Sequence, residues 1–129
     1  ELASFGPGEA LFGAGPVTAM GDPWGPKISL LNPQASALSS LADGRLALQV
    51  AFKPASGARV RADTLRVEYR TAVGWRDITG RVLANANVGA GGLSTAPLSL
   101  PEGRHRIRIS VMDDRGRVGI TELSVKTGN

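Results

Sequence analysis

The chain has 129 residues, of which 15 are basic and 11 acidic, a net charge of +4, and no cysteine. That length fits one domain able to bury a core without staples, and the missing cysteine removes disulfides and thiolate metal sites. No apolar run reaches the roughly 18 residues that a membrane-spanning helix needs, so no membrane span is expected.

The chain opens on Glu1 rather than methionine, which implies a processed product or a piece of a longer protein with neighbouring domains. Residues 1–26, ELASFGPGEALFGAGPVTAMGDPWGP, are rich in Gly, Ala and Pro and hold no basic residue. Repeated Gly and Pro interrupt helices and ladders alike, so this segment reads as an N-terminal arm or linker. Its glycines make no nucleotide loop: GPGEAL and GAGPVT lack the third glycine of the dinucleotide fingerprint. The domain proper is expected over residues 27–129.

From Lys27 onward short alternating segments are separated by turn residues, the pattern of an antiparallel β protein. KISLL, ending at Asn32-Pro33, reads as a first strand. QASALSSLA (Gln34–Ala42) reads as one turn or a loop. RLALQVAFK (Arg45–Lys53) alternates strictly, with Leu46, Leu48, Val50 and Phe52 on one face. TLRVEYR (Thr64–Arg70) puts Leu65, Val67 and Tyr69 on one side and Arg66, Glu68 and Arg70 on the other. GWRDITGRVL reads as a short broken strand or a pair of strands, and Pro97 in LSTAPLSLP suggests an edge. In RHRIRISVM, Ile107, Ile109 and Val111 point inward, and Arg104, Arg106 and Arg108 outward. DDRG turns the chain, with Gly116 suited to a left-handed backbone. In the returning strand Val118 and Ile120 share one parity, Leu123 and Val125 the other. Leu123 and Val125 are expected in the core, with a bulge or irregular start near Val118.

About seven short strands at this spacing predict an all-β, two-sheet antiparallel sandwich. SGARVRADTLRVEYR, WRDIT and LPEGRHRIRISVMDDRGRVGITELSVKT together resemble bacterial immunoglobulin-like and cadherin-like repeat modules. Those modules carry a Leu-x-x-Gly-x-x-x-Ile/Val-x-Val-x-x-x-Asp-x-x-Gly run through their last two strands. Leu100, Gly103, Ile107, Ile109, Asp113 and Gly116 fit it. The resemblance covers residues 27–127 and implies an immunoglobulin-like fold in an exported protein: periplasmic, cell-surface or secreted. It implies a non-catalytic spacer or protein-contact module, or alternatively an accessory substrate- or polymer-binding domain of a secreted hydrolase, because the fold alone does not fix function.

The chemistry-bearing residues are few. His105 is the single histidine and the Gly-x-Ser-x-Gly elbow is absent, so nucleophilic catalysis lacks its parts, and no enzyme activity or cofactor is expected. One histidine is too few for a typical zinc site; His105 reads as a rim residue bonded to a loop. Asp113 and Asp114 lack the EF-hand spacing of calcium sites and are expected to cap the amides of their own turn. Arginine dominates the basic residues, and its planar fork suits carboxylates and phosphates. If the third and penultimate strands are neighbours, Arg66, Arg70, Arg104, Arg106 and Arg108 share one outer face, relieved by Glu68 and Glu122. That face is the candidate binding surface for another protein or an acidic polymer. Sequence-specific nucleic acid binding is not expected, since single-strand readers pair basic grooves with aromatic platforms. Trp75 is expected to cap the core, and Trp24 to pin the arm to the domain.

Overall fold

The computed structural model describes residues 16–41 and 43–128. In chain order its elements are β1 (Val17–Gly21), β2 (Lys27–Asn32), a 3₁₀ turn (Ala35–Ser39), β3 (Arg45–Leu46), β4 (Gln49–Lys53), β5 (Val60–Thr71) and β6 (Gly74–Asp77). There follow α1 (Thr79–Leu83), β7 (Ala86–Gly89), β8 (Gly92–Thr95), β9 (Leu98–Ser99), β10 (Gly103–Asp113) and β11 (Val118–Thr127). The first sheet runs β1-β11-β10-β5-β6, the second β2-β4-β8-β7, and β3 and β9 form a small pair. Every ladder between named strands is antiparallel. Among the described residues no helix is long and apolar enough to cross a membrane.

Alternation puts the core between the two large sheets, giving a sandwich-like all-β molecule. Leu65, Val67, Ile107, Ile109, Leu123 and Val125 of the first sheet meet Ile28, Val50, Phe52 and Leu93 of the second in one buried cluster. Leu46 and Leu48 are buried as their parity requires. Burying each such side chain contributes about 1.5–3 kcal/mol, so register is set by the apolar face. A one-residue slip of β10 would exchange its isoleucines for arginines.

Several elements differ from the sequence reading. Val17–Gly21, expected in a loose arm, is a strand pairing with β11 from Val17–Leu123 to Gly21–Gly119. It works at a sheet edge, where only one side needs ladder bonds and Gly or Pro nearby is tolerated. Residues 1–15 of that arm lie outside the described residues. Arg45–Lys53 is not one strand but two: Leu48 bonds out of line to Thr95, through its amide to Oγ1 at 3.0 Å and its carbonyl to the Thr95 amide at 2.8 Å. GWRDITGRVL is a strand followed by a helix. Asp77 accepts both the amide (2.9 Å) and the hydroxyl (2.6 Å) of Thr79, which turns the chain into α1 and buries Val82. Within the expected turn segment Gln34–Ala42, of which Ala42 lies outside the described residues, Ala35–Ser39 is a 3₁₀ turn that buries Leu38 completely.

The bulge lies in another strand. β11 alternates without interruption against β10 from Met112–Val118 to Gly103–Thr127. Gly119, Thr121, Leu123, Val125 and Thr127 are inward, and Val118 and Ile120 outward. The small inward residue at 119 has a cause: a Cβ there would stand 1.9 Å from the Pro26 carbonyl oxygen, where the chain passes from the first sheet to the second. The irregularity falls instead in β5, whose pairing with β10 shifts between Ser110–Arg66 and Met112–Arg61. Thr64 Oγ1 takes the Met112 amide at 2.8 Å and donates to the Arg61 carbonyl at 2.6 Å, closing the gap. The shift lets Val60 and Leu65, of opposite parity, both reach the core.

Candidate binding face

β10 lies between β11 and β5, so its outward arginines are flanked on both sides. Arg104 stands opposite Lys126, Arg106 opposite Ser124, and Arg108 between Glu122 and Glu68. Glu68 accepts Arg108 Nε at 3.1 Å and Glu122 accepts Arg106 Nη2 at 2.7 Å. Arg66, beyond Glu68, lies 3.8 Å from Asp77. Among the described residues Arg70, Arg104 and Lys126 have no ion-pair partner. The five expected arginines therefore share one sheet face, but they are not equivalent. Arg108, 25% exposed against a Glu68 that is 16% exposed, is part of the structure; Arg70 and Arg104 are exposed charge.

Trp75 is at the centre of this face rather than over the core. The hairpin between β5 and β6 pairs Arg70 with Trp75 and Glu68 with Asp77, so both β6 side chains share the arginine parity. The guanidinium of Arg108 lies 4.1 Å from the indole centroid, with Arg70 at 5.7 Å and Arg106 at 5.9 Å. Cation–π attraction of about 0.5–2 kcal/mol per contact lets three like charges gather there. The sequence held the signal: TAVG is a tight turn, and parity across it sets Trp75 opposite Arg70. The Asp77 carboxyl is held below the usual aspartate range by the Thr79 hydroxyl and amide, with Arg66 adding attraction and slight burial opposing.

His105 is buried on the inward side of β10. Its Nε2 is 2.7 Å from the Pro101 carbonyl and its Nδ1 is 2.5 Å from the Tyr69 hydroxyl, so both ring nitrogens are engaged. Asp113, 1% exposed, accepts the amides of Arg115 and Arg117 at 2.9 Å each and Arg117 Nε at 2.8 Å. Burial alone would raise its pKa; the Arg117 and Arg115 amides and the Arg117 guanidinium outweigh that and lower it. Asp114 caps across the molecule, accepting the Arg59 amide at 3.2 Å. Gly116 takes the left-handed conformation at φ 77°. Trp24, expected to pin the arm, is 74% exposed instead. Among the described residues no group of three or more His, Cys, Asp or Glu side chains is placed to hold a metal ion. No protein-family model matches this chain, and neither a curated protein nor a solved structure matches it.

Proposed function

We propose that this domain is a non-catalytic immunoglobulin-like module of an exported bacterial protein, and that its arginine face contacts an acidic partner. The strand order supports the fold reading: β2-β4-β8-β7 against β11-β10-β5-β6 parallels the ABED and GFCC′ sheets of immunoglobulin domains. The exported, bacterial setting rests on the resemblance of residues 27–127 to bacterial repeat modules.

The observation that carries the contact role is the gathering of Arg70, Arg106 and Arg108 around Trp75, beside Arg104 and Lys126. A rigid sheet holds these side chains, which limits the ordering entropy a partner must overcome.

The test uses polyglutamate as the acidic-protein probe and alginate as the acidic-polymer probe. Binding of polyglutamate that weakens with salt and is lost in Arg70→Ser/Arg104→Ser/Arg106→Ser supports the proposal. Binding that survives the triple change, or no binding of polyglutamate, overturns it. Alginate binding alone would favour the accessory-domain reading.

A further inference from the structure

A second, separate feature lies at the end of the sandwich away from Gly128, where three turns meet. Asp22 and Val118 exchange bonds of 2.8 Å, Asp114 takes the Arg59 amide, and Arg115 reaches the Gly57 carbonyl. Between the turns runs an open groove of about 560 Å³, lined by Trp24, Lys27, Lys53, Pro54 and Arg117 among others. Pro26 and Gly25, both buried, hold the Trp24 turn in place; a Cβ on Gly25 would meet the Val118 carbonyl oxygen at 2.5 Å.

Two independent observations make this tip unusual. Lys27 and Lys53 are directly opposed across β2 and β4, both exposed, and neither has an ion-pair partner among the described residues. Like charges directly opposite each other destabilise a sheet, and an anion between them would relieve this. The nearby carboxylates are committed elsewhere: Asp22 to the Val118 amide, Asp113 to Arg117, and Asp114 to the Arg59 amide. Beside the lysines Trp24 stands 74% exposed. At that exposure the protein covers only a small part of the indole.

We propose that this tip docks on an anionic lipid bilayer, with Trp24 entering the headgroup layer and Lys27 and Lys53 over the anionic headgroups. Tryptophan favours that layer because its body is apolar and its N–H polar, and lipid surrounds the ring on all sides. Each basic residue near such a surface gains from its negative potential; Arg117 on the groove wall is neutralised by Asp113, so the attraction rests on the two lysines. The site is distinct from the arginine face and does not depend on it.

The test is sedimentation of the 129-residue chain with vesicles of phosphatidylcholine alone or mixed with phosphatidylglycerol, read together with quenching of tryptophan emission by brominated lipid. Partition is expected only to the mixed vesicles, with quenching that Trp24→Phe removes. Lys27→Ser/Lys53→Ser is expected to weaken partition by about fivefold for each lysine lost, and Arg76→Ser/Arg81→Ser, equal in charge change, to weaken it far less. Equal loss in both double variants would reduce the effect to net charge and overturn the proposal. So would failure to partition, or capture of soluble alginate through Trp24 without vesicle binding. All of these positions are exposed, and a thermal melt of each variant confirms folding.

Discussion

Asp113 is a carboxylate 1% exposed that remains ionised because two turn amides and the Arg117 guanidinium point at it. With its folded pKa lowered, its contribution is fully present above the ordinary aspartate value of about 3.9 and is lost as pH falls through the lowered value. Asp113→Asn should therefore lower the melting temperature at neutral pH, and that deficit should shrink as pH falls below about 4. Asp114→Asn, exposed, should cost less. A deficit in Asp113→Asn that stays constant down to low pH in thermal melts would contradict the sign. Much at this scale was legible: the Asp113 cap, the glycine at 116 and the engaged His105 follow from turn chemistry and strand parity, whereas Asp114 caps the Arg59 amide of another loop and not its own turn. The exposure of Trp24 was not legible, and Trp75 was legible only through the parity of its hairpin, which sets it opposite Arg70.

Single elements were legible where parity was strict and obscure where the chain changed layers. β10 and the core face of β11, Leu123 and Val125, read correctly because a register slip would bury charge. The bulge was misplaced because Val118 and Ile120 look like core until β1 and Met20 are known to flank them (Met20 opposite Ile120). β1 itself hid in Gly- and Pro-rich sequence. A chain beginning at Lys27 should consequently lose on the order of 2–4 kcal/mol, at about 1 kcal/mol for each ladder bond removed. It should also associate through the uncovered β11 edge. Urea denaturation and light scattering read both effects, and an unchanged midpoint would show β1 to be a mere appendage. The arginines divide similarly: Arg104→Ser should cost about 0–1 kcal/mol. Arg106→Ser and Arg108→Ser should each cost about 1–3 kcal/mol, since Glu122 and Glu68 are left largely buried without those donors.

Across the whole molecule the two outer faces differ in charge. The first sheet presents Arg66, Arg70, Arg104, Arg106, Arg108 and Lys126 against Glu68, Asp77 and Glu122. The second presents Ser29, Gln49, Ala51, Asn87 and Ser94, with lysines only at the tip end. The net charge of +4 is thus distributed unevenly, and an acidic partner is steered toward one face. At physiological salt the field decays over about 8 Å, less than the about 10 Å separating two packed sheets, so the second face is screened from the arginines. Polyglutamate at low salt should accordingly slow amide exchange in β10, β5 and β6 and leave β4, β7 and β8 unaffected. Raising salt toward 1 M, where the screening length falls to about 3 Å, should abolish the protection. Arg70→Ser/Arg104→Ser should weaken it at low salt without altering exchange of the unbound domain. Protection spread equally over both sheets would mean that the charge acts as a diffuse cloud and that the arginine face has no directing role.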